Sequence, residues 1–253
     1  MGEAPNLRNY FVAAGFNSLG ILSGGGVGYV MSHWIMDGHP PMEVLDVDIQ
    51  RAHVFQGNAA FLRDRIVESL GIAYQDHWPA RQWETARNVK KSILHDRVAA
   101  AGACFGESAG WERPNWYARP GEKAEYEYGW GRPNWFQRSA EEHQAVRERV
   151  GVFEQTSFSK LLVQGRDAER ELNRLATSDV ATEPGQVLYC QFLNERGGIE
   201  ADITISRLSS DAFMVVTPAF THTHVEAWIR NRIPEDAHCV VTDVTTTAVM
   251  LNL

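Results

Sequence analysis

Residues 188–205 read LYCQFLNERGGIEADITI. Two apolar runs flank a polar turn that ends in Gly197-Gly198, a pattern that predicts a β-hairpin. The second strand alternates between two sets of residues, apolar Ile199, Ala201, Ile203 and Ile205 and polar Glu200, Asp202 and Thr204. Asp202 therefore lies at mid-strand on the polar face, where a rigid sheet could aim a carboxylate at a bound amine. A solvated surface carboxylate would give the same pattern.

The longer run YCQFLNERGGIEADITISRL (189–208) resembles the folate-binding motif of the aminomethyltransferase (glycine-cleavage T-protein) family. The likeness is to the version of that family fused to dimethylglycine and sarcosine dehydrogenases. It implies that Asp202 lies beside the reactive nitrogens of tetrahydrofolate, where it accepts a proton from the folate amine or stabilises positive charge on it. Tyr189 and Arg207 flank Asp202 in sequence and are weaker candidates for the same site.

Composition sets limits on the function. The chain has 253 residues, 44% of them hydrophobic and 22% charged, as in an ordinary globular protein. A net charge of −8 without any Lys/Arg-rich run argues against a nucleic-acid partner. Cys104, Cys190 and Cys239 are far apart and form no C-x-x-C motif, so we expect buried thiols in a reducing compartment. No metal-ligand spacing is present, and His222-x-His224 is expected at the surface.

The N-terminal segment from Asn9 to Met36 contains no charged residue and is long enough to span a bilayer. Its many glycines interrupt a continuous apolar helix, so we interpret it as a buried segment of a soluble protein without a signal peptide. The pattern predicts a strand at Tyr10–Ala14, a glycine-rich turn, and a helix from about Gly26 to about Asp37. Gly38-His39-Pro40-Pro41 would end that helix. Three glycines before a helix would leave N–H groups free for a phosphate or a flavin carbonyl, although a tight packing turn is an equal alternative.

Residues 9–41 (NYFVAAGFNSLGILSGGGVGYVMSHWIMDGHPP) resemble the closing segment of the flavin domain in the same dehydrogenases. The resemblance implies that Gly24, Gly25, Gly26 and Val27 make backbone contacts with the isoalloxazine ring of FAD. The helix N-terminus would then favour negative charge on the reduced flavin.

The rest of the chain predicts alternating helices and strands. Helices are predicted at 59–71 (with an apolar stripe), 92–101 (with Ile93, Leu94 and Val98 inward), 139–151 (with Ser139 as N-cap), 167–176 and 221–232. Strands are predicted as a pair at 152–156 and 159–165, and at 212–217, 239–244 and 247–252. A short phrase occurs twice, as WERPNWY at 111–117 and WGRPNWF at 130–136. Its aromatics predict structural packing, with a stacking platform as the alternative.

These elements indicate an α+β class with three parts. We expect residues 1–57 to be the C-terminal end of an FAD-dependent oxidoreductase domain and 58–138 to be a small central linking domain. Residues 139–253 would be the N-terminal part of an aminomethyltransferase-like folate domain. Because no nucleotide-binding fingerprint is present and the folate domain is incomplete, the chain is expected to be a fragment that is inactive alone.

The resemblance implies a parent flavoenzyme that oxidatively demethylates dimethylglycine or sarcosine and passes the one-carbon unit to tetrahydrofolate. Its partners would be an N-methylated amino acid, folate and an electron acceptor that the sequence does not identify, with neither a membrane nor nucleic acid. We expect a cytoplasmic location, or the mitochondrial matrix in a eukaryote. The alternative is a non-catalytic protein resembling the regulatory subunit of pyruvate dehydrogenase phosphatase, in which NYFVAAGFNS and the GGG-x-G run are equally at home.

Overall fold

The computed structural model describes residues 1–253 and divides into two compact units. The first unit consists of Met1–Val54 and Leu161–Thr242, and the second of Phe55–Lys160 and Asp243–Leu253. The helices are α1 (Gly20–Asp37), α2 (Ala59–Ile72), α3 (His95–Ala100), α4 (Phe136–Glu148), α5 (Ala168–Leu175) and α6 (His222–Arg232). The strands are β1 (Gly2–Glu3), β2 (Phe11–Val12), β3 (Ala103–Ser108), β4 (Trp111–Tyr117), β5 (Phe153–Glu154), β6 (Ser159–Gln164), β7 (Val187–Leu193), β8 (Ile199–Arg207), β9 (Ala212–Thr217), β10 (Val240–Asp243) and β11 (Leu251–Asn252). The predicted α+β class is confirmed.

A five-stranded sheet in the order β10-β6-β9-β8-β7 forms the centre of the first unit. The predicted hairpin is confirmed as the antiparallel pair β7–β8, in which Tyr189 lies opposite Thr204 and Gln191 opposite Asp202. Asn194 stabilises the turn, because its Oδ1 accepts hydrogen bonds from the N–H groups of Arg196 and Gly198. Such an Asx-type turn satisfies backbone groups that the strands leave unpaired.

The hydrophobic core lies on one face of this sheet. Ala201, Ile203 and Ile205 are buried, as the alternation along β8 predicts. They belong to one apolar cluster with residues of the neighbouring strands and of helices α5 and α6, among them Phe192, Phe213, Leu172 and Ile229. The opposite face carries Asp202 and Tyr189, which are both exposed. The sheet is therefore covered on one side and open on the other.

Helix α1 differs from the prediction at its start. It begins at Gly20, six residues before the expected start near Gly26, and ends at Asp37 as expected. Gly38 ends it in the left-handed conformation (φ 79°) and donates its N–H to the Trp34 carbonyl. The expectation that the segment is buried was wrong, because Val30, Met31 and Trp34 are the buried residues of the helix and Ile21 and Leu22 are exposed.

Helix α2 in the second unit matches the predicted range, but its apolar stripe does not pack inward. Leu62, Ile66, Val67 and Leu70 are exposed, and Arg65 is the one buried residue of the helix. Arg65 donates to Glu107 and to the Thr85 carbonyl, and its guanidinium lies over the Trp83 ring at 4.4 Å from the centroid. A charge satisfied by a carboxylate, a carbonyl and an aromatic face can be buried, and periodicity does not reveal those partners.

The two copies of the tryptophan phrase have different structures. The first is strand β4, which pairs with β3 and buries Trp111 and Trp116, so structural packing explains it. The second is an irregular segment that leads into α4, where Trp130 is exposed. Pro114 is tolerated within β4, at the register shift between Cys104 and Phe105 of β3.

Several further local predictions were wrong. Helix α4 begins at Phe136 and has no side-chain cap, so Ser139 lies inside its first turn. The strands predicted as a pair do not pair with each other, because β5 pairs with β11 and β6 lies between β10 and β9. Ile93, expected inward, is exposed. Pairing between distant segments decided the strand partners, and local patterns do not encode it.

No helix of the structure combines the length and apolar character needed to cross a membrane.

Candidate functional site

Asp202 and Tyr189 lie together on the open face of the sheet. Tyr189 is opposite Thr204, so Asp202 is its diagonal neighbour across the β7–β8 pair. A hydrogen bond with Asp202 raises the pKa of Tyr189, and the negative charge of Asp202 adds to this effect. The structure thus brings together two of the residues that the sequence assigned to folate, in a pair that can accept and donate hydrogen bonds to a ligand lying on the sheet.

Arg207, the third candidate beside Asp202, is committed elsewhere. Its guanidinium bonds Glu169 at 2.7 Å and the carbonyls of Thr182, Ser209 and Ser210. Arg207 lies on the same face of β8 as Ile203 and Ile205, and Asp202 lies on the opposite face. It stabilises the loops beside α5 and is not part of the Asp202 site.

The glycines predicted to contact flavin lie within α1 and not before it. Ser23 N–H already donates to the Leu19 carbonyl, so Gly24, Gly25 and Gly26 follow the first hydrogen-bonded turn and their N–H groups point along the helix. The idea of three free glycine N–H groups at a positive helix end was therefore wrong. A Cβ added at any of the three would meet no atom within 4 Å, so the helix backbone is exposed at these positions. Val27 is half-buried and packs against the cluster of Val30, Met31 and Trp34.

A cavity of about 610 Å³ in the first unit is a feature that sequence reasoning missed. The cavity is surrounded by the end of α1, the segment 38–50 that follows it, the turn of the β7–β8 hairpin and helix α6. Glu200 of β8 lies in its wall, 3.3 Å from Nε2 of His224, and accepts a hydrogen bond from Asn194. Burial by itself would raise the pKa of Glu200, but the hydrogen bonds from His224 and Asn194 outweigh burial and keep the pKa below its usual range.

His222 and His224 are half-buried and paired, in contrast to the surface location that we expected. His222 contacts Glu226 on the same helix at 3.4 Å, and its ring stacks on His53. The sequence signal that could have revealed these pairs was present only in part. The i,i+4 spacing of His222 and Glu226 is visible in the sequence, whereas the Glu200–His224 pair joins residues 24 positions apart.

The second unit contains buried charged pairs with a structural role. Glu112 is buried, accepts from Arg87 Nε at 2.9 Å and also receives the Asn88 N–H. Burial would raise the pKa of Glu112, and these bonds more than compensate, so the pKa is lowered. A smaller cavity of about 340 Å³ in this unit is lined by aromatic residues including Trp83, Tyr126 and Tyr128. Cys104, Glu84 and Glu125 also line this cavity.

No group of three or more His, Cys, Asp or Glu residues is placed to hold a metal ion. The three cysteines are free and buried, as predicted, and burial raises the pKa of Cys104 and Cys190 to about 11. Thiols with such values remain protonated and unreactive at neutral pH.

Two family profiles match the chain. Residues 37–92 match the FAD dependent oxidoreductase central domain, and residues 94–253 match the GCVT N-terminal domain. The two matched ranges meet near residue 93. The domain boundaries that we expect from the sequence, between residues 57 and 58 and between residues 138 and 139, stay a prediction.

Three characterised relatives are similar over most of the chain. 4-Methylaminobutanoate oxidase (formaldehyde-forming) of Paenarthrobacter nicotinovorans is 45% identical, over 97% of this chain and 30% of the relative. The mitochondrial pyruvate dehydrogenase phosphatase regulatory subunit of Mus musculus is 33% identical, over 100% of this chain and 29% of the relative. The mitochondrial sarcosine dehydrogenase of Homo sapiens is 33% identical, over 87% of this chain and 27% of the relative. The chain thus spans less than a third of the length of each.

One solved structure supports the fold of the matched region. The glycine cleavage system aminomethyltransferase T from Bartonella henselae superposes with a TM-score of 0.52 and 27% identity, covering 65% of this chain and 40% of that one. The GCVT profile covers more than half of the chain, and the hairpin that carries Asp202 lies inside it. The chain therefore belongs to the GCVT family, and it carries the FAD dependent oxidoreductase central domain ahead of the GCVT domain.

Proposed function

We propose that this chain is part of a flavoenzyme that oxidatively demethylates an N-methylated amino acid and passes the one-carbon unit to tetrahydrofolate. The observation that carries the proposal is the Asp202–Tyr189 pair on the open sheet face of a GCVT domain. Two of the similar proteins are named as an oxidase or a dehydrogenase of an N-methylated amino acid, which favours the same substrate class here. FAD and tetrahydrofolate are the cofactors of this proposal.

The open sheet face suits a folate. Asp202 and Tyr189 are exposed side by side, and no side chain of the neighbouring helices covers the pair, so a flat ring could lie on the strands. When bound, tetrahydrofolate supplies the nitrogens that capture the one-carbon unit. Asp202 would accept a proton from the folate amine or stabilise positive charge on it, and Tyr189, its diagonal neighbour across the strand pair, would contact the same ligand.

Fewer structural observations support the flavin contact proposed for α1 than support the folate site. Gly24, Gly25 and Gly26 do not fit a role as N–H donors to a flavin carbonyl, because the helix uses those groups. What supports them is the absence of side chains at exposed helix positions, where a planar ring could approach the backbone closely. We derive no catalytic step from this contact. The residues that would bind the rest of the flavin are not among those of the described site.

The decisive experiment uses the complete protein that contains this chain, with Asp202→Asn. We expect amine oxidation, followed as bleaching of the flavin band by sarcosine, dimethylglycine or 4-methylaminobutanoate without oxygen, to continue at the wild-type rate. Formation of methylene-tetrahydrofolate should fall at least about 100-fold, with the carbon released as formaldehyde instead. The control is Asp236→Asn, which removes the same charge from an exposed position on the loop after α6. Undiminished methylene-tetrahydrofolate formation by Asp202→Asn would refute the role of Asp202.

A regulatory, non-catalytic protein is the second candidate, because the phosphatase regulatory subunit matches the whole chain. The same preparation separates the two. Flavin that the amine bleaches supports the enzyme, whereas folded protein that retains no flavin supports the regulatory protein. We place either protein in the cytoplasm, or in the mitochondrial matrix of a eukaryote. Two of the relatives are named as mitochondrial, and three free buried thiols suit a reducing compartment.

A further inference from the structure

Gln191 lies directly across from Asp202 in the β7–β8 pair, so the two side chains leave the sheet on the same open face. Asp202 is exposed and Gln191 is half-buried. The Cβ atoms of such a pair are about 4.5–5.5 Å apart, close enough for one planar ligand to contact both side chains. Gln191 is therefore the residue of β7 in register with the proposed folate base.

The segment that follows α5 holds the main chain of Gln191 at the outer edge of the sheet. The Thr177 N–H donates to the Gln191 carbonyl at 3.0 Å, and the Gln191 N–H donates to Thr177 Oγ1 at 3.1 Å. Because both main-chain groups of Gln191 point outward, its pair with Asp202 is of the non-hydrogen-bonded kind, in which the side chains lie closer. The main chain of Gln191 is thus fixed before a ligand arrives, which lowers the entropic cost of binding.

The side-chain amide of Gln191 is oriented with its nitrogen toward Tyr189. Thr177 Oγ1 donates to Oε1 at the other end of the amide, at 3.5 Å. The hydrogen bond with Asp202 raises the pKa of Tyr189, and a hydrogen bond with Gln191 acts in the opposite direction. Lowering is the effect expected when an amide N–H donates to the phenol oxygen, because the bond stabilises the phenolate. An amide nitrogen carries two hydrogens, so one remains for a ligand on the sheet.

An acceptor at Asp202 beside a donor at Gln191 matches one edge of the pterin ring of tetrahydrofolate. On this edge N5 carries a hydrogen, and the neighbouring O4 is a carbonyl oxygen. If the carboxylate of Asp202 accepts from N5–H, the adjacent O4 requires a donor, and an amide N–H is such a donor. A pterin with an amino group in place of O4 would instead oppose a donor with a donor, which leaves both without a partner.

We propose that Gln191 is a specificity-determining residue of the folate site, whose Nε2–H donates to O4 of the pterin ring while Asp202 accepts from N5–H. This inference rests on the proposed function, in which Asp202 contacts a reactive nitrogen of tetrahydrofolate. It adds the side chain that distinguishes a 4-oxo pterin from a 4-amino pterin.

The test compares the binding of tetrahydrofolate with that of tetrahydroaminopterin, in which an amino group replaces O4. Dissociation constants are measured by calorimetry on the complete protein, without oxygen and without an amine substrate, so that no turnover contributes. We expect the wild type to bind tetrahydrofolate at least about tenfold more tightly than the 4-amino ligand. Gln191→Met keeps the side-chain length without an N–H and should reduce this ratio by about tenfold. Gln191→Glu presents acceptors only and should bind the 4-amino ligand more tightly than tetrahydrofolate.

Controls separate this role from a general effect on the sheet. Gln164→Met and Gln164→Glu make the same changes at an exposed position at the end of β6 and should keep the wild-type ratio. If Gln191→Glu does not fold beside Asp202, the uncharged Gln191→Met decides the question alone. Equal binding of the two ligands by the wild type, or an unchanged ratio in the folded Gln191 variants, would overturn the inference and leave the proposed function standing. A wild type that binds neither ligand would overturn both.

Discussion

Glu226 illustrates how a single residue depends on its neighbours along one helix. It lies one turn after His222 and one turn before Arg230, which donates to its Oε1 at 2.8 and 2.9 Å. The hydrogen bond from His222, followed by those from Arg230, lowers the pKa of Glu226 to about 2, although partial burial opposes the shift. The ionised form is therefore the one that stabilises the fold.

This shift predicts how stability depends on pH. Because the folded pKa lies below the unfolded value, the stabilisation is fully present above about pH 4.5 and is lost as the pH falls towards about 2. Glu226→Gln should lower the free energy of unfolding at pH 7 by about 1 kcal/mol, after allowance for solvent screening. Urea titrations from pH 7 to pH 2.5 should show the difference from the wild type shrinking with acid. Glu235→Gln, at an exposed position, serves as control, and a difference independent of pH would contradict the assignment.

At the scale of elements, helix α1 shows that a glycine-rich run does not by itself interrupt a helix. Gly24, Gly25, Gly26 and Gly28 all have helical conformation and open space around them. Packing of Val30, Met31 and Trp34 against Phe11 and Val44 supports the helix from one side. Each glycine still carries an entropic cost in a helix interior, where alanine is favoured by about 0.5–1 kcal/mol.

Substitution of two glycines should give opposite results. Gly26→Ala should stabilise the chain by about 0.5–1 kcal/mol. Alanine has a higher helix propensity than glycine, and the new methyl group would contact no atom within 4 Å. Gly165→Ala should destabilise it by more than about 1 kcal/mol, because φ is +135° and the Cβ would lie 2.1 Å from the His238 carbonyl oxygen. Thermal unfolding of the two variants checks both signs. A loss of stability in Gly26→Ala would show that the helix backbone at Gly26 is in contact with other groups.

At the scale of the whole molecule, the two units are stabilised by different means. The first unit has the extended apolar cluster under its five-stranded sheet, with Phe192, Phe213 and Leu161 fully buried. The second unit buries few large apolar residues, chiefly Trp111 and Trp116, and relies on pairs such as Arg87–Glu112. Apolar burial is the larger source of stability, and a buried ion pair must first offset its own desolvation.

Hydrogen exchange should therefore differ between the units. Amides of the inner strands β8 and β9 should be the slowest to exchange. Those of the β3–β4 hairpin should exchange faster, through local opening that costs less free energy. Phe213→Ala, which empties a fully buried position, should cost about 3–5 kcal/mol and raise exchange in the sheet strands. Native-state exchange at low urea concentration measures both. Equal protection of strands β8 and β9 and of the β3–β4 hairpin would contradict this difference in stability.

Local periodicity was sufficient for much of the fold. The β7–β8 hairpin, strand β9 and helices α2, α5 and α6 follow from alternation, helical spacing and turn residues, because each pattern involves neighbours in the chain. The same alternation placed Asp202 on the exposed face of β8. The sequence alone thus determined the class, the hairpin and the family resemblance.

Tertiary structure decided what depends on distant partners. Pairing placed β6 beside β9 and β10 and joined β5 to β11, and a buried network turned α2 so that Arg65 faces inward and its apolar stripe faces outward. The cavity with Asp48 and Glu200 unites segments about 150 residues apart, and the pairing of His224 with Glu200 exists only there. These features arise because burial and hydrogen bonding are satisfied over the whole fold, whereas a sequence pattern records only the preference of each segment.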